Sequence, residues 1–199
     1  SGQGTTLFDV LNNTGTAMGG RLLRRWINTP IRNTKTKEAR LDAIEHLLKD
    51  YSYEKLTPCL RQIGDIERIL ARVALQTARP RDLARLGDSL LVLPSLRSQL
   101  IDIQAPRIME LAAFCKPKPD IARELENAIV ANPPVVIRDG NVIAAGYDEV
   151  LDELRGISEN AADYLVKIEQ NEREETDLST LKVGYNRVHG YYIEAVSYT

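Results

Sequence analysis

The sequence predicts a mainly α-helical protein that runs into a short antiparallel β-hairpin. Three observations carry this. Apolar residues recur every three to four positions through most of residues 17–130, the period of a helix with one buried face. The same period returns between Tyr147 and Asp177. Ser179–Thr199 then reads S-T-L-K-V-G-Y-N-R-V-H-G-Y-Y-I-E-A-V-S-Y-T, rich in Val, Ile and Tyr around turn residues, the composition of two paired strands. A two-stranded hairpin is marginal in water on its own, so this one needs support.

Taken in order, Thr5–Val10 is a short apolar opening and Asn12–Gly15 is turn-like. In A-M-G-G-R-L-L-R-R-W-I, Met18, Leu22 and Trp26 share a helical face, with Leu23 and Ile27 beside them. This makes Trp26 an expected core residue. Gly19 and Gly20 sit inside the pattern at about 1 kcal/mol each relative to Ala, which predicts close packing of another backbone there. Pro30 ends the helix. Thr34–Leu48 is a second helix, capped by Thr34 or Thr36, with the stripe Leu41, Ile44, Leu47 and Leu48. A third runs from Ser52 to Ile63. Gly64 breaks it, and Asp65 caps the next, where Ile66, Ile69, Leu70 and Val73 face inward while Arg68 and Arg72 share another face. Pro80 suits the first turn of a helix over Asp82–Leu93 that reaches past Pro94 towards Ile103. Pro106–Cys115 and Pro119–Val130 give two more.

The period changes over Pro133–Ala145. Asp139-Gly140 stands between apolar pairs in V-V-I-R-D-G-N-V-I-A, which predicts a hairpin over 134–145. One long helix is predicted over 147–177, with Leu151, Leu154, Ile157, Ala161, Tyr164, Leu165 and Ile168 as its stripe. At 1.5 Å per residue it spans about 45 Å. Its last turns, E-Q-N-E-R-E-E-T-D, hold almost no apolar residue, so this end is expected to project into solvent or lie beside another helix.

Composition narrows the chemistry. With 199 residues, 43% hydrophobic and 27% charged, the chain suits one sizeable core or two small ones. No apolar run approaches the roughly 20 residues of a membrane span, and no charged-then-apolar leader opens the sequence, so a cytoplasmic protein is expected. Net charge is −2, but Tyr147–Asp177 holds eleven acidic residues against three basic ones, while the first forty residues hold seven basic against two acidic. That asymmetry either marks a face for an anionic partner or is solvated helix surface. Cys59, Cys115, His46 and His189 match no compact zinc pattern. Asp148/Glu149 and Asp152/Glu153 read as the solvated first turns of a helix. No G-x-x-x-x-G-K-[ST] phosphate loop occurs. His189, before Gly190, is a turn residue or a phosphate contact, with the turn reading preferred. No catalytic, cofactor-binding or metal residue is expected.

Four segments occur in order: A-M-G-G-R-L-L-R-R-W (Ala17–Trp26), G-D-I-E-R-I-L-A-R (Gly64–Arg72), T-A-R-P-R-D-L (Thr77–Leu83) and L-K-V-G-Y-N-R-V-H-G-Y-Y-I-E (Leu181–Glu194). Together they resemble the MutS family of DNA mismatch-repair ATPases. The resemblance implies that residues 1–177 are the helical core and lever domain, with the hairpin 134–145 and the long projecting helix 147–177. It implies that residues 178–199 open a truncated antiparallel β clamp domain. The family's Phe-x-Glu mismatch wedge and its phosphate loop are both missing from residues 1–199. The resemblance therefore implies a non-enzymatic fragment, with ATP and magnesium needed only by the full-length parent. It also implies double-stranded DNA bound independently of sequence, a homodimeric parent, a MutL-type repair partner and no membrane. Lys182, Asn186, Arg187 and His189 are the candidate contacts to the DNA backbone. The alternative is a helical protein-interaction scaffold unrelated to DNA.

Overall fold

The computed structural model describes residues 5–49, 51–186, 188 and 190–195. The chain forms two compact units, 1–144 and 145–199.

In the first unit, α1 (Leu7–Leu11) is closed by a reciprocal cap between Thr6 and Asp9. Next comes α2 (Ala17–Asn28), where Thr16 Oγ1 accepts the Gly19 N–H at 2.9 Å. Then follow α3 (Thr34–Lys49), α4 (Ser52–Gln62) and α5 (Ile66–Ala74), the last capped by Asp65. Three helices carry proline in the first turn, where a missing N–H is harmless: α6 (Pro80–Ile101), α7 (Pro106–Phe114) and α8 (Pro119–Ala128). Helix α6 continues through Pro94 and packs against α4, α5, α7 and α8. The core joins Ala43 of α3, Leu56 of α4, Leu96 of α6 and Ile108 of α7 to Ile63, Ile103 and Ala105 between helices. Ser89 is fully buried in α6. Its hydroxyl accepts the Gly64 N–H at 2.9 Å and donates to the Arg85 carbonyl at 2.6 Å, satisfying a donor that the break before α5 leaves open.

Three expectations need correction. Trp26 is 39% exposed, outside the core, and Arg40 lies 3.8 Å over its ring. The half-exposed indole carries a guanidinium over one face. Gly19 and Gly20 make room for a loop's side chains, not for another helix backbone. A Cβ at Gly19 would lie 3.1 Å from Thr16 Oγ1 and 3.3 Å from Thr14 Cβ. No hairpin forms over 134–145. The Asp139-Gly140 turn exists, as a 3₁₀ turn at Ile137–Asp139 ended by Gly140 at φ +74°. The segment after it pairs back to the end of α8 instead, through an Ile129–Ile143 bridge and the bonds Val130 N–H to Val142 O (3.0 Å) and Ala144 N–H to Ala128 O (2.9 Å). Pro133 and Pro134 have no N–H to donate, so that arm cannot serve as the partner strand.

The second unit contains α9 (Glu149–Glu159), α10 (Ala161–Thr176), β1 (Leu181–Asn186) and β2 (Gly190–Ala195). The single helix predicted over 147–177 is thus broken at Asn160, which has φ −108° and ψ 30°. Both its backbone N–H and its side-chain amide donate to the Gly156 carbonyl at 3.0 Å. Gly and Asn are both weak helix formers, and the Asn amide competes for the backbone carbonyl. The strands pair antiparallel from Leu181–Ala195 to Asn186–Gly190.

The charged end of α10 does not simply project. Glu169 Oε2 accepts the Val183 N–H at 3.0 Å, Arg173 Nε donates to the Leu181 carbonyl at 2.7 Å, and the two side chains pair at 2.6 Å. These bonds engage the Val183 N–H and the Leu181 carbonyl on the edge of β1 turned away from β2, and Leu181 is buried. This is the support that a two-stranded hairpin requires.

Candidate nucleic-acid interface

Strand alternation puts Lys182, Gly184 and Asn186 on one face of β1 and Leu181, Val183 and Tyr185 on the other. A Cβ at Gly184 would lie 2.7 Å from Tyr192 Cζ, so the Tyr192 ring crosses the first face between Lys182 and Asn186. Only glycine leaves space for it. Lys182 stands directly opposite Glu194, a register at which opposite charges attract across strands. Asn186 Oδ1 accepts the Val188 N–H at 3.0 Å, which starts the turn. Arg187 and His189 lie outside the described residues. On the other face the rings of Tyr185 and Tyr191 meet at 5.0 Å between centroids, tilted by 54°. Leu154, Ile157, Leu165 and Ile168 of the helices, with Val183 and Ile193, line an open apolar groove of about 760 Å³.

Sequence reasoning missed the ion pairs that cross-brace the first unit. Arg21 grips both oxygens of Asp65, at 2.6 and 2.7 Å, and reaches Glu67 at 2.5 Å. Arg72 grips Asp82 in the same forked way, at 2.8 and 2.5 Å. These pairs tie α2 to α5 and α5 to α6. They join the first three quoted segments: Arg21 belongs to A-M-G-G-R, Asp65, Glu67 and Arg72 to G-D-I-E-R-I-L-A-R, and Asp82 to T-A-R-P-R-D-L. A Cβ at Gly64 would lie 2.7 Å from Arg85 Cγ, so the glycine before Asp65 lets α6 approach.

The braces have a pH signature. Hydrogen bonds from Arg21 hold the Asp65 carboxyl below its ordinary range, and those from Arg72 do the same for Asp82; burial opposes both shifts. A carboxyl depressed in the folded state stabilises above its unfolded pKa, about 3.9. That contribution is lost as pH falls through the folded values. The urea midpoint is therefore expected to be flat in these groups above about pH 5 and to fall below about pH 4. The Asp65→Asn, Asp82→Asn double variant should show a shallower acid limb. An unchanged limb would show that the forked pairs contribute nothing to folding.

Residues 1–184 match a family model described as MutS domain III. The chain belongs to the MutS family. The match takes in the first unit, α9, α10 and β1 as far as Gly184. Of the four segments that carry the resemblance, three lie wholly within the MutS match and the fourth begins in it. Carrying MutS domain III makes this a MutS-like mismatch-repair protein. Among the described residues, no helix is long and apolar enough to cross a membrane, and no group of three or more His, Cys, Asp or Glu gathers as a metal site.

Proposed function

We propose that these residues act as a MutS lever, carrying a nucleotide-driven change elsewhere in the protein to a clamp around double-stranded DNA. The observation that supports this most is the docking of β1 on α10 through Glu169, Arg173 and Leu181. A displacement of the helix then carries the hairpin with it. In this reading ATP and magnesium act outside residues 1–199, which do no catalysis themselves. A homodimer and a MutL-type partner belong to the working assembly. DNA contact is with phosphates and independent of sequence, through Lys182 and Asn186 together with Arg187 and His189.

Fluorescence anisotropy with homoduplex and G·T duplex tests the DNA contact. If Lys182 and Arg187 each neutralise one phosphate, log K falls with log salt at a slope of about −1.8, and Lys182→Gln reduces that slope by about 0.9. Binding is expected to be weak and equal for the two duplexes. A mismatch preference above tenfold, or a slope that Lys182→Gln leaves unchanged, would overturn the assignment. The scaffold reading draws on the open groove beside α9 and α10 and expects no DNA binding at all.

A further inference from the structure

The first unit holds a second concentration of cationic groups, remote in sequence from the hairpin. An open cavity of about 480 Å³ lies between the loop over 12–16, the first turns of α2 and the start of α5. Arg21, Arg24 and Arg68 line it, with Asp65 as the sole carboxylate in the lining. Asp65 does not neutralise all three. Both its oxygens are taken up by Arg21, which also pairs with Glu67, and Arg68 Nε makes only a long ion pair with Asp65 at 3.6 Å. Arg24 makes no ion pair among the described residues. Its guanidinium lies over the Phe8 ring at 4.0 Å, which fixes the plane and leaves the N–H edge available. Asp9, which feels the Arg24 charge through space, is engaged by the Thr6 N–H at 3.0 Å and hydroxyl at 2.6 Å.

The opposite wall is polar and fixed in place. Thr14 Oγ1 donates to Asn12 Oδ1 at 2.7 Å, and a Cβ at Gly20 would sit 3.4 Å from that hydroxyl. The Asn12 amide N–H groups make no hydrogen bond among the described residues.

We propose that this cavity binds a phosphate group, gripped by the Arg24 and Arg68 guanidinium forks and oriented by the Asn12 amide. Guanidinium forks match phosphate oxygens two at a time, and the amide supplies a donor to a further oxygen. The group belongs either to a nucleic-acid backbone or to a small phosphorylated ligand; the chemistry of the grip is the same.

Amide ¹H–¹⁵N spectra of the chain, titrated with sodium pyrophosphate or a 20-base-pair duplex at constant ionic strength, test this. Saturable shifts at Thr14, Gly19 and Gly20 are expected with pyrophosphate. Arg24→Gln with Arg68→Gln should weaken binding at least tenfold while the thermal melt stays in place. If the double variant melts early, Arg68→Gln alone carries the test, because that side chain is 69% exposed. Matching shifts with the duplex identify a nucleic-acid backbone as the source, and shifts with pyrophosphate alone identify a small ligand. Shifts that never saturate, or that survive the substitutions, overturn the site. Lys182→Gln should leave these shifts intact, so this site and the hairpin's DNA contact stand or fall separately.

Discussion

Ile108→Ala is expected to destabilise the helical unit by about 2–5 kcal/mol. Ile108 is 5% exposed and packs among Ala43, Leu56, Ile63, Leu96, Ile103 and Ala105. Two of those neighbours are alanines, with no side-chain length to swing into the vacated space. The residual void should therefore put the loss towards the upper end. At 2–4 °C per kcal/mol for a chain of this size, the melting temperature falls by roughly 4–20 °C. The adjacent Met109 is 51% exposed, and Met109→Ala should stay within about 0.5 kcal/mol. Thermal melts of both variants decide the matter. Equal effects would mean that α7 does not contribute to the core in solution.

The second large effect is expected at Ser89. Ser89→Ala removes the acceptor of the half-buried Gly64 N–H, a loss of about 0.5–1.5 kcal/mol. Ser89→Val does the same and forces extra carbon into a fully buried position, adding roughly 1–3 kcal/mol. Urea unfolding of the two variants separates the lost hydrogen bond from the overpacking. If Ser89→Ala is neutral, the Gly64 N–H has found another acceptor, and the contact between α6 and the start of α5 is looser than its 2.9 Å bond implies.

Much of the helical architecture was legible because its signals are local. The 3.6-residue period, Pro80, Pro106 and Pro119 in first turns, and the Asp65 cap each act within a few residues of themselves. What escaped was set by partners distant in sequence or by competition at a single residue. Arg21 and Asp65 are 44 positions apart, and no periodicity announces such a pairing. Trp26 fits an apolar stripe, yet Arg40 of the next helix decides its surroundings. Asn160 interrupts a stripe that runs on unbroken in the sequence. Glu169 and Arg173 look like solvated charges because a peptide edge needing a donor and an acceptor leaves no trace in hydropathy. Of the candidate DNA contacts, Lys182 and Asn186 do share a face, as alternation requires. Glu194 across from Lys182 was readable only once the register was known. Arg187 and His189 lie outside the described residues.

The Glu169–Arg173 pair gives the small sheet a direction. With the outer amide of Val183 and the outer carbonyl of Leu181 both engaged by α10, a further strand cannot be added beside β1 without first evicting two charged side chains. Any strand that enlarges this sheet must therefore come in next to β2, and the order of assembly runs one way from helix to β1 to β2 and outward. The same asymmetry bears on misassembly. Two copies of the hairpin cannot stack β1 to β1 into a continuous ribbon, so α10 acts as a stopper at one end of a structure that stays free to grow at the other.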